Sequence, residues 1–432
     1  MSNKEKGITL IALIITIIVM LILVGVVVTV VIQSNLLGTA KTAGDKYKTA
    51  YEDESNMSEV TINGEKYASI EDYLAGKEKL PDIEAGVRAE TNSNYNGVTI
   101  PKGFTVSGIS TEQSIDGGLV IYDIPAGTTV DWTNPDSVKT KYNQFVWIPV
   151  EVNKTTEPVD TQTSIAAFKR SVWQDNSRVA DNTQSPTSFP NSSVSAWKNY
   201  TEPYSHDKTS DYDGTGTGKT GISAQITELT KSIYNYGGFY IGRYEAGVKP
   251  KAEGTSTPRK YGDSQTADCV VQQDKYPYNY IKWGKSMSDI SEGAVYLSNH
   301  LYNTNEYGAT SMLCTGACWD SMLDFVKDSE HSVTNSTEWG NYKNSTFEIT
   351  RGSYAELNTS NYTLGSFNNV VNKYSKPEGK SILLTTGATG TTERNCSKNI
   401  YDIAGNVEEW TTESNSSDSR VSRGRRLLLQ WF

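Results

Sequence analysis

Asn399–Trp410 reads N-I-Y-D-I-A-G-N-V-E-E-W. Asp402 and Glu409 bring hard carboxylate oxygens into this short segment, and the Gly405-Asn406 turn between them can aim backbone carbonyls at the same point. Oxygen-only ligation of that kind suits calcium rather than a transition metal. The same residues also fit a tight turn in which Asp402 makes an Asx-type hydrogen bond and Glu409 pairs with an arginine.

Outward from this segment the chain alternates short apolar runs with Gly, Pro and Asn. The runs V-T-I-P-K-G-F-T-V-S (98–107), G-L-V-I-Y-D (118–123), F-V-W-I-P-V-E (145–151), F-Y-I-G-R-Y-E-A (239–246) and I-L-L-T-T-G (382–387) read as strands. Ile226, Leu229 and Ile233 mark a helix that ends before Tyr236-Gly237-Gly238. A second helix is predicted over Cys318 to Val326, where Trp319, Met322, Leu323 and Val326 share a face and Thr315 caps. Val60–Tyr67 reads as a hairpin around Asn63-Gly64, and Ser69 with Asp72 starts a short helix through Leu74. Residues 77–98 read as a linker, and the Ser/Thr/Asn-rich stretch 152–222 as an irregular insertion.

The 432 residues carry Lys+Arg 40 against Asp+Glu 50, a formal net charge of -10, so no basic field recruits nucleic acid. Tyr 26 and Trp 9 supply a core despite a mean hydropathy of -0.50, which excludes a disordered chain. The four cysteines, Cys269, Cys314, Cys318 and Cys396, allow two disulfides in three connectivities or free buried thiols. The Cys314–Cys318 spacing departs from C-x-x-C, and His206, His300 and His331 stand in no ligand spacing with it, which argues against zinc.

Between Gly7 and Ile32 the chain is uncharged and almost wholly aliphatic. As a helix, Ile8 to Ile32 would extend roughly 37 Å, enough to cross a bilayer core of about 30 Å. Lys4 and Lys6 before it predict a cytoplasmic N-terminus, with the body of the chain on the other side of the cell membrane. Leu36, Ala40, Ala43, Tyr47 and Ala50 continue an amphipathic helix to about Glu54. The short leader, Gly7 and the I-T-L-I opening resemble a type IV prepilin N-terminus. That resemblance implies cleavage after Gly7 by a prepilin peptidase, N-methylation of Ile8, and other pilins as partners in a pilus. Ala12 stands where that family usually has the glutamate that registers subunits. A plain signal anchor with a stalk helix is the alternative.

The blocks F-V-W-I-P-V, Y-G-G-F-Y-I-G-R-Y-E-A, T-G-A-C-W-D and Y-D-I-A-G-N-V-E-E-W resemble, in order and spacing, the formylglycine-generating enzyme (sulfatase-modifying factor) domain. The resemblance spans about Val98 to Gly424 and implies a C-type-lectin-like fold. It also implies a calcium ion held by the side chains of Asp402 and Glu409 and the carbonyls of Gly405 and Val407. Glu408 stands where the family usually has Trp. Activity in that family depends on a cysteine pair downstream of R-x-x-R-G-G-S. Here Arg420 to Gly424 read R-V-S-R-G, and R-R-L-L-L-Q-W-F follows without a cysteine. No Ser/His/Asp or Cys/His arrangement offers a substitute nucleophile, so an enzyme is not expected. The abrupt change after Gly424 reads as a truncation, or as a basic apolar tail for a membrane or partner.

The expected fold is therefore α+β: a long membrane or pilin-like helix (8–55) after a leader (1–7), a small hairpin/helix and linker (56–97), then an irregular C-type-lectin-like domain (98–432). The expected function is surface display of a non-catalytic domain that binds a ligand, protein or glycan, of a type that retroelements can diversify. A structural minor pilin or pseudopilin of a secretion or uptake system is the alternative, and a formylglycine-generating-type enzyme the third reading.

Overall fold

Short apolar runs broken by Gly, Pro and Asn cannot sustain long helices, and they fold here as a succession of antiparallel pairs. The computed structural model describes residues 60–62, 65–67, 80–152, 165–179 apart from 166, 170 and 175, 222–251, 256–264, 268–285, 291–302, 305–342, 349–357, 361–366, 382–390, 392–416 and 419–424. The chain divides into two compact units, Met1–Ser58 and Glu59–Phe432, and all described residues belong to the second.

β1 (Val60–Ile62) pairs with β2 (Glu65–Tyr67), as the hairpin pattern predicts. Next, β3 (Ser93–Tyr95) pairs with β4 (Val98–Ile100). The central sheet has the order β10-β7-β6-β5: β5 (Thr105–Val106), β6 (Val120–Tyr122), β7 (Gln144–Pro149) and, much later in the chain, β10 (Gly238–Gly242). A turn of 3-10 helix (Ser110–Glu112) and α1 (Pro135–Lys139) lie in its connections. β8 (Val172–Gln174) and β9 (Ser177–Val179) form a separate hairpin before α2 (Ile222–Tyr236). β11 (Gly247–Val248) pairs with β12 (Cys269–Val270), followed by α3 (Gly293–Leu301) and α4 (Gly316–Val326). β13 (Ser353–Leu357) sits between β14 (Tyr362–Ser366) and β15 (Ile382–Leu384). Two hairpins close the described chain: β16 (Cys396–Ser397) with β17 (Ile400–Tyr401), and β18 (Glu409–Ser416) with β19 (Ser419–Arg423).

Both faces of the central sheet are covered. Val120, Tyr122, Val146 and Ile148 enter one core with Ile222, Ile226 and Ile233 of α2 and Trp319, Met322 and Val326 of α4. The alternate residues Leu119, Ile121 and Trp147 enter a second core with Ala89, Ile100, Phe104 and Tyr302. Because successive strand residues face opposite sides, a sheet buried on both sides needs the unbroken apolar runs L-V-I-Y and F-V-W-I. Thr315 caps α4 as its spacing predicts, accepting from the Cys318 N–H at 3.0 Å. The linker expected over 77–98 is instead packed into the domain from residue 80. Ala89 is fully buried, its N–H donates to the Phe104 carbonyl, and β3 lies within the same stretch.

The expected α+β architecture, a long N-terminal helix followed by a lectin-like domain, needs correction. The run 8–55, with the processing positions Gly7 and Ile8 beside it, lies outside the described residues. So does the short helix expected near Leu74. Among the described residues 26% are in strands and 17% in helices, and the longest helix, α2, has 15 residues. None is long and apolar enough to cross a membrane. The described fold is a set of small antiparallel sheets with four short helices fitted between them.

Ile148 is completely buried under both helices. Ile148→Ala should lower stability by about 2–5 kcal/mol in urea unfolding, the usual cost of a large-to-small core change.

Candidate functional site

Three consecutive residues after β10, Arg243-Tyr244-Glu245, meet the 399–410 segment and divide it into two buried charge networks. The first surrounds Arg243. Its guanidinium bonds to Glu112 Oε1 at 2.7 Å, Asn399 Oδ1 at 3.0 Å, and Gln144 Oε1 and the Tyr122 hydroxyl at 3.2 Å. It also lies over the rings of Tyr244 and Tyr401. Lys139 at the end of α1 adds a second cation 2.9 Å from Glu112. Burial alone would push Glu112 upward, but Arg243 and Lys139 outweigh it and hold the carboxyl at about 2.

Asn399 also pins the segment to the central sheet. Its amide donates to the carbonyls of Thr111, Gly117 and Gly118 at 3.2, 3.1 and 2.8 Å. Gly118 is required at that contact: its φ is +88°, and a Cβ there would collide with the Lys398 carbonyl.

The second network is acidic. The segment coils tightly, with positive φ at Asn399, Asp402, Gly405 and Asn406, conformations that Asn, Asp and Gly tolerate best. Gly405 lies against Asn341, leaving no room for a Cβ, 2.5 Å from the Asn341 carbonyl. Asn406 uses its whole side-chain capacity. Its Oδ1 accepts from Asn341 Nδ2 (2.8 Å) and the Leu384 N–H (2.9 Å), and its Nδ2 donates to Glu245 Oε2 (2.8 Å) and the Leu384 carbonyl (3.2 Å). Glu245 also accepts from the Val407 N–H at 3.2 Å and hydrogen-bonds Glu409. Asp402 accepts from the Gly387 N–H at 2.6 Å and Asn395 Nδ2 at 3.3 Å. Burial pushes all three carboxyls up, Asp402 to about 7 and the other two well above the usual carboxylate range; the charge of Asp402 raises Glu245 again, and Glu245 and Asp402 raise Glu409.

The sequence-predicted ligand set is thus only partly assembled. Val407 and Glu409 converge: a Cβ on Gly424 would lie 2.6 Å from Glu409 Oε2 and 3.6 Å from the Val407 carbonyl. That Oε2 is closed to solvent and has no hydrogen-bond partner. Asp402 is in electrostatic contact with Glu409 but turns toward Gly387 and Asn395, and Gly405 lies at a bridge to Asn341 whose hydrogen bonds run through the Ala404 carbonyl and the Asn406 N–H. Each Asp402 oxygen takes a single hydrogen bond, which leaves lone pairs for a hard cation. No group of three or more His, Cys, Asp or Glu among the described residues is arranged as a metal-ligand set. The residues present therefore fit an ion held by one or two carboxylates with backbone carbonyls, and do not fit one held by side chains alone.

The alternative reading of the turn is not what forms either. Asp402 makes no Asx bond, and the arginine of the closing hairpin, Arg423, pairs with Glu413 at 2.7 Å rather than with Glu409. Glu408, in place of the expected Trp, accepts from the Ser422 hydroxyl at 2.9 Å. Sequence reasoning missed Glu112, Glu245, Asn341 and Asn395. For Glu245 the signal was available: a charged R-Y-E inside a half-apolar run. None of the four cysteines is in a disulfide, and burial pushes the thiols of Cys269 and Cys396 to about 11 and about 12.

No family model matches this chain, and no curated protein or solved structure matches it. Among the described residues no helix is long and apolar enough to cross a membrane, and nothing in them or in the comparisons supports the membrane, pilin, sulfatase-modifying and lectin assignments. What the geometry itself defines is a small-sheet domain locked by two buried charge networks.

Glu112 supplies a pH test of the first network. Its folded value lies below the ordinary 4.5, so its contribution is present above that pH and is lost as the pH falls through about 2. A shift of that size is worth about 3 kcal/mol. Glu112→Gln should lower stability at pH 7 and flatten the loss between pH 4.5 and 2 in acid titrations followed by circular dichroism.

Proposed function

We propose that this domain is a non-catalytic binding module, a rigid scaffold whose polar loops capture a ligand, protein or glycan. The observation that carries this reading is that three polar side chains of the 399–410 segment are spent on holding the domain together. Asn399, Asp402 and Asn406 hold backbone and side chains of the same domain rather than facing an open cleft. Two thiols raised to about 11 and about 12 are almost wholly protonated at neutral pH and make poor nucleophiles, which supports the same reading.

Two measurements test it on the full chain. On arrays of immobilised glycans and proteins, saturable binding to at least one class is expected, and none at all would overturn the binding role. Under iodoacetamide at pH 7.5, Cys269 and Cys396 should stay unmodified in the native protein. Fast alkylation of either would reveal an activated thiol and overturn the non-catalytic half.

Calcium belongs to the same reading as a structural ion. Glu409 and the Val407 carbonyl would hold it, and its charge would neutralise the acidic network. After chelation, added calcium chloride should raise the melting temperature, by the equivalent of about 2.7 kcal/mol at a hundredfold excess over Kd. Glu409→Gln should lose most of that gain; an unchanged melting temperature in the parent chain would rule the ion out.

A further inference from the structure

His331 lies just after α4 with its ring edge-on to Trp339, centroids 5.2 Å apart at 85°. Nδ1 is 2.8 and 2.9 Å from the two carboxylate oxygens of Asp328, and Nε2 is 3.0 Å from the backbone carbonyl of Arg394. Both partners are acceptors. A carbonyl has no proton to give, and Asp328 is ionised: burial pushes it up, but the N–H groups of Glu330 and His331 and the ring itself together outweigh that and bring it below its ordinary value. A neutral imidazole has one N–H and one lone pair, so it can satisfy one of these acceptors while turning a lone pair on the other. Only the doubly protonated ring donates to both.

We propose that His331 is a protonation-dependent clamp. With two protons it ties the segment after α4 to the 392–395 turn; with one proton it releases one side. The surroundings leave that role to the ring itself. On its own segment the facing groups are the Asp328 carboxylate and the N–H groups that share it. From the 392–395 turn comes the Arg394 carbonyl, with the Arg394 side chain exposed. From 336–342 comes the Trp339 ring, whose Nε1 donates to the Ser332 carbonyl. From the β8–β9 hairpin, Asn176 donates to the Asp328 carbonyl and accepts from the Val333 N–H. Among these described groups Asp328 is the charge that meets the ring.

Release would reach the 399–410 segment through the turn. Glu393 pairs with Arg351 at 2.9 Å and accepts from the Tyr401 hydroxyl at 3.2 Å. Asn395 donates to the Ala388 carbonyl and to Asp402. Loosening Arg394 therefore loosens the support beneath Asp402. The sign follows from which form the fold prefers. Because only the doubly protonated ring donates to both acceptors, the clamp closes as the pH falls and opens as it rises.

The test needs no ligand and does not rest on the binding reading. Hydrogen exchange of the full chain, corrected for the intrinsic pH dependence, should show protection of 392–396 falling about tenfold between pH 5.5 and 8, as loss of one charge-assisted hydrogen bond implies. β7 serves as the internal control and should not change. His331→Phe keeps the Trp339 contact and should show low, pH-independent protection of 392–396. Equal protection at the two pH values in the parent chain, or the same pH response in His331→Phe, overturns the clamp. Should the variant fail to fold, nitrogen-15 NMR of the ring in the parent chain decides. Two protonated ring nitrogens at pH 5.5 support the clamp, and a single one refutes it.

Discussion

A guanidinium taken out of water must find both a counter-charge and hydrogen-bond acceptors within the protein. Arg243 draws its partners from four separate stretches of chain: Glu112 in the 3-10 turn, Tyr122 in β6, Gln144 in β7 and Asn399 beside β16. Removing any one leaves a buried charge short of a partner, so the four stretches are held in one arrangement. The central sheet and the C-terminal segment are thereby fixed to each other by one side chain. Hydrophobic burial drives the collapse of both cores, but it is non-directional, and it is Arg243 that specifies which turn lies over which strand.

Asn406 does for the backbone what Arg243 does for charge. Its amide replaces a missing rung between Asn341 and β15, satisfying donors and acceptors that no neighbouring strand reaches. Gly405 makes this possible by letting the two backbones touch. The G-N pair is thus a packing and hydrogen-bonding unit, and its chemistry in the sequence, which suggested carbonyls aimed at an ion, is spent first on the fold.

The elements that sequence made legible are those governed by local rules. The unbroken runs at 119–122 and 145–148 fell into strands, Ile226 and Ile233 onto a buried helix face, and Thr315 onto a cap. Glu112, Asn341 and Asn395 stayed hidden because their roles depend on partners 131, 65 and 7 residues away, brought close by the fold. Residues 80–97 misled for the opposite reason. A polar, loop-like composition says little about packing when one small residue, Ala89, fills the available space. Of the ligand set expected from the sequence, Val407 and Glu409 come together beside Gly424, whereas Asp402 turns to Gly387 and Asn395.

The two networks differ in one respect that composition could not reveal. Around Arg243 the charges compensate, with Arg243 and Lys139 set against Glu112. Two residues along, the groups that weigh most on Glu245 are Asp402, Asn406, the Val407 N–H and Glu409, and none carries a positive charge. Three ionised carboxylates at one buried point would repel by far more than neutral hydrogen bonds return. The acidic network can therefore persist at neutral pH only with positive charge added, as protons shared between the carboxyls or as a bound cation. That demand arises from the fold itself, because Asn406 and Asp402, which bring the carboxyls together, are the same residues that hold the 399–410 segment in place.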